Sequence, residues 1–313
     1  MRALVAITTY NRPAMLLDAV RSARAQVLPD GIAARVLVVD NSRDANARDA
    51  VLVEAARTGL PLHYLSIPEP NISLARNAAL AACDDDWLAF MDDDQVASTT
   101  WLANLIATGE RTGADVVFGA VLPIFPAGPP SWDPTGRSLT RDIALPDGSP
   151  IGLDHDARLS GLWIGTNGCL LRSATTIAPH AGAAPAFNPA LGRTGGEDYD
   201  FFVRLHAAGR RFVWCADAPL REVIPAERLT TAYRRARSFR AGQLYARITL
   251  EHARSRVIAT AELAARAAVQ LVLVSGLWGL GRLRGSPDAD RRSLKVAEVA
   301  GKLFWGGRPS DHV

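Results

Sequence analysis

Along the first 120 residues, short apolar runs alternate with stretches of helical periodicity. Arg2–Thr8 reads as a buried strand. Pro13 suits the first turn of a helix, and 14–25 carries apolar positions at helical spacing. Arg35–Asp40 is a second strand, rich in β-branched residues and ending on a carboxylate. Leu62–Ile67 is a third. Asn71 or Ser73 caps a helix over 74–82. Trp87–Met91 is a fourth strand, Thr99–Arg111 a helix and Asp115–Val121 a further strand. Apolar strands separated by helices predict an α/β domain with a mostly parallel central sheet flanked by helices. Such sheets bind ligands at the carboxyl ends of their strands. Tyr10, Asp40 and Asp92-Asp93-Asp94 all follow strands, so they are expected along one edge.

Residues 122–160 break the pattern, with proline and glycine dense among them. A long irregular segment inside a domain is a binding loop, a lid or a disordered stretch. Regular structure resumes at Leu162–Arg172. Gly195-Gly196 precede a helical pattern from Glu197 to His206, and Arg211–Cys215 is another strand. From Thr230 onward the chain reads as helix, so the expected organisation is a domain over 1–225 and a basic helical extension over 226–313. Arg234, Arg235, Arg237, Arg240 and Arg247 form a basic face. Ala267–Gly281 carries no charge, yet 15 helical residues span only about 22 Å against a hydrocarbon core of roughly 30 Å. Glu262, Arg266, Arg282 and Arg284 bound it. It reads as a helix lying in a membrane interface rather than crossing it. A helix buried against the main domain is the open alternative.

Composition and charge sharpen this. The chain has 313 residues, 48% hydrophobic and 21% charged, which excludes a wholly disordered chain. The net charge of +3 hides an asymmetry. Residues 1–220 hold 18 basic and 24 acidic side chains, and 221–313 hold 17 and 8. The C-terminal part is therefore expected to meet something anionic, a membrane surface or nucleic acid. Cys83, Cys169 and Cys215 form no CxxC, which argues against a disulfide framework or structural zinc and for a reducing compartment. Met1–Thr8 is too short and too soon interrupted for a signal peptide. The expectation is a cytoplasmic protein, peripheral on the cytoplasmic face of the inner membrane.

Three adjacent carboxylates, Asp92-Asp93-Asp94, repel one another and resist burial. A divalent cation removes that problem, and Mg²⁺ or Mn²⁺ favours carboxylate oxygen. Asp92 and Asp94 point the same way if the extended geometry persists. The bland alternative is a solvated acidic turn. Asp84-Asp85-Asp86 is chemically the same triplet but precedes the strand, so it reads as a solvated loop at the opposite edge. Asp40 is either an acceptor for a ring N–H or ribose hydroxyl, or a turn former with Asn41 and Ser42. Arg76 is a partner for phosphate oxygens or an exposed helix charge. Glu197-Asp198, after two glycines, is a candidate base at a helix start or ordinary N-terminal acidic capping. The chain contains no GxxxxGK[ST] and no GxSxG, which argues against a P-loop ATPase and a serine hydrolase elbow.

Taken together these motifs resemble glycosyltransferase family 2, on the GT-A fold. The likeness rests on Thr8-Thr9-Tyr10-Asn11-Arg12-Pro13, Val38-Val39-Asp40-Asn41-Ser42 and Asn71-Ile72-Ser73-Leu74-Ala75-Arg76-Asn77. Phe90-Met91-Asp92-Asp93-Asp94, Gly165-Thr166-Asn167-Gly168 and Gly196-Glu197-Asp198-Tyr199-Asp200 complete it. Stretches 71–94 and 190–229 look most like the bacterial exopolysaccharide branch, similar to succinoglycan-type sugar transferases. The resemblance implies that Thr9, Tyr10 and Arg12 line a nucleotide pocket, with Asp40 reading the base and Arg76 near the donor. It implies that Asp92 and Asp94 hold Mn²⁺ or Mg²⁺ and the diphosphate, and that Asp93 contacts the ribose. Asp198 matches the family's base, with Glu197 its neighbour. The implied reaction moves a sugar from a nucleotide-diphosphate donor, a UDP-sugar, to a hydroxyl of a glycan or lipid-linked acceptor, with inversion. Trp132 and Trp163 are candidates to stack on sugar rings, with a core role the favoured alternative for Trp163.

Two other classes compete. A sugar nucleotidyltransferase shares such a sheet, but its glycine-rich N-terminal loop is replaced here by Thr9-Tyr10-Asn11-Arg12-Pro13. A non-catalytic nucleotide-binding or membrane scaffold protein would not need an intact Asp92, Asp94 and Asp198. No nucleic-acid-binding module is recognisable in the basic region.

Overall fold

The computed structural model describes residues 1–152, 165–178, 186–251, 253–286 and 288–306. Trp163 and the start of the strand expected from Leu162 lie outside them. The chain divides into two compact units, Met1–Ile224 and Pro225–Val313.

In the first unit, strands β1 (Arg2–Thr9), β2 (Ala33–Asp40), β3 (Leu62–Ser66) and β4 (Trp87–Asp92) pair in parallel in the order β3-β2-β1-β4. Thr9 faces Asp40 and Thr8 faces Asp92 in register, so the ends of β1, β2 and β4 are level. Helices α1 (Pro13–Arg24), α2 (Arg48–Ala55) and α3 (Ile72–Ala81) connect them. Pro13 opens α1, where its lack of an N–H leaves no first-turn donor unpaired, and the Asn71 side chain accepts from Ser73 N at 3.0 Å to cap α3.

The other half of the sheet is mixed rather than parallel. It runs β8 (Cys169–Arg172), β6 (Val116–Ile124), β9 (Phe212–Val223) and β5 (Gln95–Ala97), with β7 (Pro150–Ile151) also on β9. β8 runs antiparallel to both β4 and β6. Helices α4 (Trp101–Thr112), α5 (Ser173–Thr176) and α6 (Glu197–Ala207) complete this half. The expectation of a mostly parallel sheet holds for β3-β2-β1-β4. Beyond β4, β6 and β9 also pair in parallel, while β8, β5 and β7 add antiparallel pairings.

Alternation along β1 splits the core. Val5 and Ile7 face α1 and α4 residues such as Leu16, Val20 and Leu105. Leu4 and Ala6 face Ala75, Ala79, Phe201 and Phe202 on α3 and α6. Both faces are therefore buried, and functional groups are left to the strand ends.

The second unit holds α7 (Thr231–Glu251), α8 (Arg256–Leu283) and α9 (Ala289–Leu303), with α9 packed on both others. Small residues let α7 and α9 approach closely. A Cβ on Gly242 would stand 1.9 Å from the Glu298 carbonyl oxygen, and one on Gly301 2.0 Å from that of Phe239. By length and composition α8 is long and apolar enough to cross a membrane. Val269, Val272, Leu273, Leu277 and Leu280 on it are exposed.

Candidate active site

The two aspartate triplets occupy opposite edges of the sheet, as their positions relative to β4 require. Asp84-Asp85-Asp86 is not merely solvated, however. Arg35 Nη2 pairs with Asp85 at 2.6 Å, Asp85 is buried, and Arg2 N donates to Asp86 Oδ2 at 2.8 Å. This triplet clamps the starts of β1 and β2 to the turn before β4. Its carboxylates are spent on structure.

At the carboxyl edge, Asp92 ends β4, and Asp93-Asp94 turn the chain into β5. Thr9 Oγ1 donates to Asp93 Oδ2 at 2.8 Å, and Arg12 Nη1 lies 3.4 Å from Asp93 and 3.7 Å from Asp94. Asp93 and Asp94 are buried. Burial, then the charge of Asp94, pushes the Asp92 carboxyl up to about 7. Burial also raises Asp93, against the pull of Thr9 and Arg12. Tyr10 is exposed at the rim.

Asp40 lies at the same edge but is fully buried. Oδ1 accepts from Ser42 N at 2.9 Å, and Oδ2 from Ala47 N at 3.0 Å and Tyr64 Oη at 2.8 Å. These contacts are those of a turn former. The expected reading of a base by this carboxylate has no open face to act through. Asn41 continues the scaffold, holding the carbonyls of Ile67 and Glu69 and accepting from Asn71 N at 2.7 Å.

The Asn71–Asn77 motif holds a distant segment. Asn71 donates to Pro189 O, Ser73 to Asn188 O, and Asn77 exchanges two bonds with Phe187. A Cβ on Gly192 would lie 1.7 Å from Asn71 Oδ1, so only glycine permits this approach. The segment then turns through Gly195 and Gly196, at φ +83° and +94°, into α6. Glu197 is thereby delivered to Arg76. Far from being an exposed helix charge, Arg76 is buried and ion-paired to Glu197, with Phe187 5.7 Å from its guanidinium carbon. Its field reaches Glu197, Asp198 and Asp92 together. Burial and the charge of Asp198 push Glu197 up to about 7 despite Arg76. Asp198 Oδ1 accepts from its neighbour Tyr199 N at 2.8 Å, and Oδ2 stands 3.3 Å from the point a Cβ on Gly165 would occupy.

Three participants carry no sequence signal. Arg141, half-buried, reaches Asp92, Asp198 and Glu222 electrostatically. Glu222 on β9 adds to the charge around Asp92. Gln95 Oε1 accepts from Asp92 N at 3.0 Å. Among the described residues, seven buried side-chain polar atoms lack a partner. Five of them surround this site: Arg76 Nε, Gln95 Nε2, Arg141 Nε, Thr166 Oγ1 and Glu197 Oε2. Buried polar atoms are normally satisfied, so their concentration here marks a surface shaped for something other than the chain itself. No group of three His, Cys, Asp or Glu side chains converges as a metal-ligand set among the described residues.

Residues 4–158 match the model of glycosyl transferase family 2. Succinoglycan biosynthesis protein ExoM of Rhizobium meliloti (strain 1021) is 33% identical over 251 residues, covering 80% of this chain and 75% of that protein. Among solved structures, S. aureus TarS 1–349 in complex with UDP covers 98% of this chain and 92% of its own, with TM-score 0.54 and 16% identity. The same protein in complex with UDP-GlcNAc gives TM-score 0.55 at 14% identity, covering 96% and 90%. The fold is that of GT-A enzymes, and with the family model and the relative agreeing, the chain belongs to glycosyltransferase family 2.

Proposed function

We propose that the protein transfers a sugar, with inversion, from a nucleotide-diphosphate donor to a hydroxyl of a glycan or lipid-linked acceptor in bacterial exopolysaccharide synthesis. The observation that carries this reading is the buried ion pair of Arg76 on α3 with Glu197, which delivers the acidic start of α6, Glu197-Asp198, to the helix that follows β3. The name of the Rhizobium relative supports the exopolysaccharide setting, and the UDP and UDP-GlcNAc complexes of TarS support a UDP-sugar donor.

Mn²⁺ or Mg²⁺ fits the donor set. Asp92 and Asp94 flank Asp93; burial, then the charge of Asp94, raises Asp92, and a divalent cation relieves that cost. A site with fewer than three protein ligands suits Mg²⁺, which takes substrate phosphates and water for the rest. When bound, the ion supplies charge stabilisation for the leaving diphosphate.

The chain's own residues do the rest. Thr9 and Arg12 fix Asp93, and through it the turn carrying Asp94. Tyr10 and Arg12, at the rim, bind the nucleotide. Asp198 takes the proton of the acceptor hydroxyl on Oδ2 as the acceptor oxygen bonds the anomeric carbon. The bond from that carbon to the phosphate oxygen breaks, and the nucleoside diphosphate departs with its electron pair. Attack from the face opposite the leaving group inverts the configuration. Arg76, tied to Glu197, offsets charge on both sides of the reaction.

The exposed apolar residues of α8 and the nearby arginines support a peripheral seat on an anionic bilayer. At 28 residues α8 is about 42 Å long, enough to span. Yet Arg292 of α9 donates to Leu277 O at 3.0 Å, placing a cation beside its apolar stretch. That charge favours lying in the interface over crossing it.

The test is a melting-temperature screen of nucleotides and UDP-sugars with Mn²⁺, followed by Asp198→Asn. The variant is expected to retain donor binding and lose transfer. An active Asp198→Asn removes the assigned base.

A further inference from the structure

Arg141 stands on the long connection between β6 and β7. Its backbone bridges Val121, accepting from Val121 N at 2.9 Å and donating to Val121 O at 2.8 Å. Its side chain turns inward beneath the Gly165–Gly168 turn. Nη1 donates to Asn167 Oδ1 at 3.0 Å, and Nη2 donates to Gly119 O at 3.1 Å and to Asn167 O. One guanidinium thus grips both the side chain and the backbone of Asn167. Gly168 makes room for it: a Cβ there would lie 2.9 Å from Nη2, at φ +71°.

The grip fixes what stands next to Asp198. A Cβ on Gly165 would lie 2.5 Å from Asn167 Oδ1 and 3.3 Å from Asp198 Oδ2. The amide of Asn167 and the carboxylate of Asp198 therefore converge on one point, which glycine alone leaves open. Because Asn167 Oδ1 is committed to Arg141, the orientation of the amide is set and Nδ2 is its remaining hydrogen-bonding group. Thr166, the preceding residue, is buried with an unpartnered hydroxyl.

We infer that Arg141 is a positioning residue for the transfer step. By gripping Asn167 it holds the 165–168 turn against Asp198 and so sets where the acceptor hydroxyl meets Oδ2. Arg141 also ties the proline-rich connection after β6 to this point, so acceptor-side structure and the base share one anchor. This rests on the reading of Asp198 as the base.

The test uses full-length Arg141→Lys, Asn167→Ala and the double variant. Lysine keeps the charge but cannot hold two oxygens of Asn167 in a fork. Hydrogen exchange at Thr166, Asn167 and Gly168 is expected to speed up in Arg141→Lys while amides of α3 stay protected. With UDP-GlcNAc and Mn²⁺, and water as acceptor, kcat is expected to fall about a hundredfold in each single variant, with KM within about twofold. The double variant is expected to fall no further than either single one. Unchanged exchange at the turn overturns the inference, as does full kcat in Asn167→Ala or an additive loss in the double variant. If Arg141→Lys fails to fold, Asn167→Ala alone still decides through its kcat. If the wild type turns over no UDP-sugar, the reading of Asp198 fails, while the exchange measurement still decides the grip.

Discussion

Arg76 and Glu197 form a buried ion pair across 121 residues of sequence, joining α3 to α6 beneath the carboxyl edge of the sheet. The pair is the physical link between the aspartates that end β4 and the acidic start of α6. It depends on the capping residues of α3, which hold the segment leading to Gly195-Gly196. The titration of this pair makes the first prediction. Glu197 is pushed from its ordinary 4.5 to about 7, so the folded protein holds a proton that the unfolded chain releases. Its stabilising contribution is full below about 4.5 and is lost as pH rises through about 7. Asp92 shifts in the same direction. Glu197→Gln should therefore flatten, without abolishing, the fall of the urea midpoint over this window. Equal slopes in wild type and variant would refute the shift.

The twin triplets predict opposite phenotypes. Asp85→Asn should destabilise by on the order of 1–3 kcal/mol through the Arg35 pair, towards the low end because Arg35 is a quarter exposed. Its turnover should be unchanged once folded. Asp94→Asn should keep or raise the melting temperature, since a repelling buried carboxylate is removed, and should lower turnover on the order of 100-fold or more. Paired melting and rate measurements check both.

Much of this was legible in the chain. The apolar runs of β1, β2 and β4 place Asp92 and Asp84 at opposite edges without coordinates. What was not legible depends on distant partners. Asp85 is buried because Arg35 reaches it from 50 residues away. Asp40 spends its oxygens on Ser42, Ala47 and Tyr64, a choice that local sequence left open between turn and ligand. α2, β5 and β7 went unseen because each is short and takes its shape from neighbours. Arg141 is a single basic residue in an irregular stretch, and nothing local distinguishes it from a solvated one.

Glycine roles in the second unit are separable. Gly242→Ala should push α7 from α9, because the new Cβ meets the Glu298 carbonyl at 1.9 Å. The expected cost is about 1–3 kcal/mol. Gly276→Ala, on α8 with nothing within 4 Å, should instead stabilise by roughly 0.5–1 kcal/mol. Chemical denaturation of both variants provides the comparison.

Membrane binding should need the exposed face of α8. Leu273→Asp with Leu280→Asp should leave the fold intact and abolish sedimentation with anionic vesicles. Wild-type binding should weaken in high salt, because arginines add an electrostatic share that ions screen. Undiminished binding by the double variant would exclude this surface.

Asp92 and Asp94 are proposed to join a divalent cation to a nucleoside diphosphate. Calorimetric titration of UDP into the full-length protein with Mn²⁺, then with EDTA, addresses this proposal most directly. Binding is expected with Mn²⁺ and is expected to be lost with EDTA and in Asp94→Asn. Equal affinity with and without the metal would contradict it.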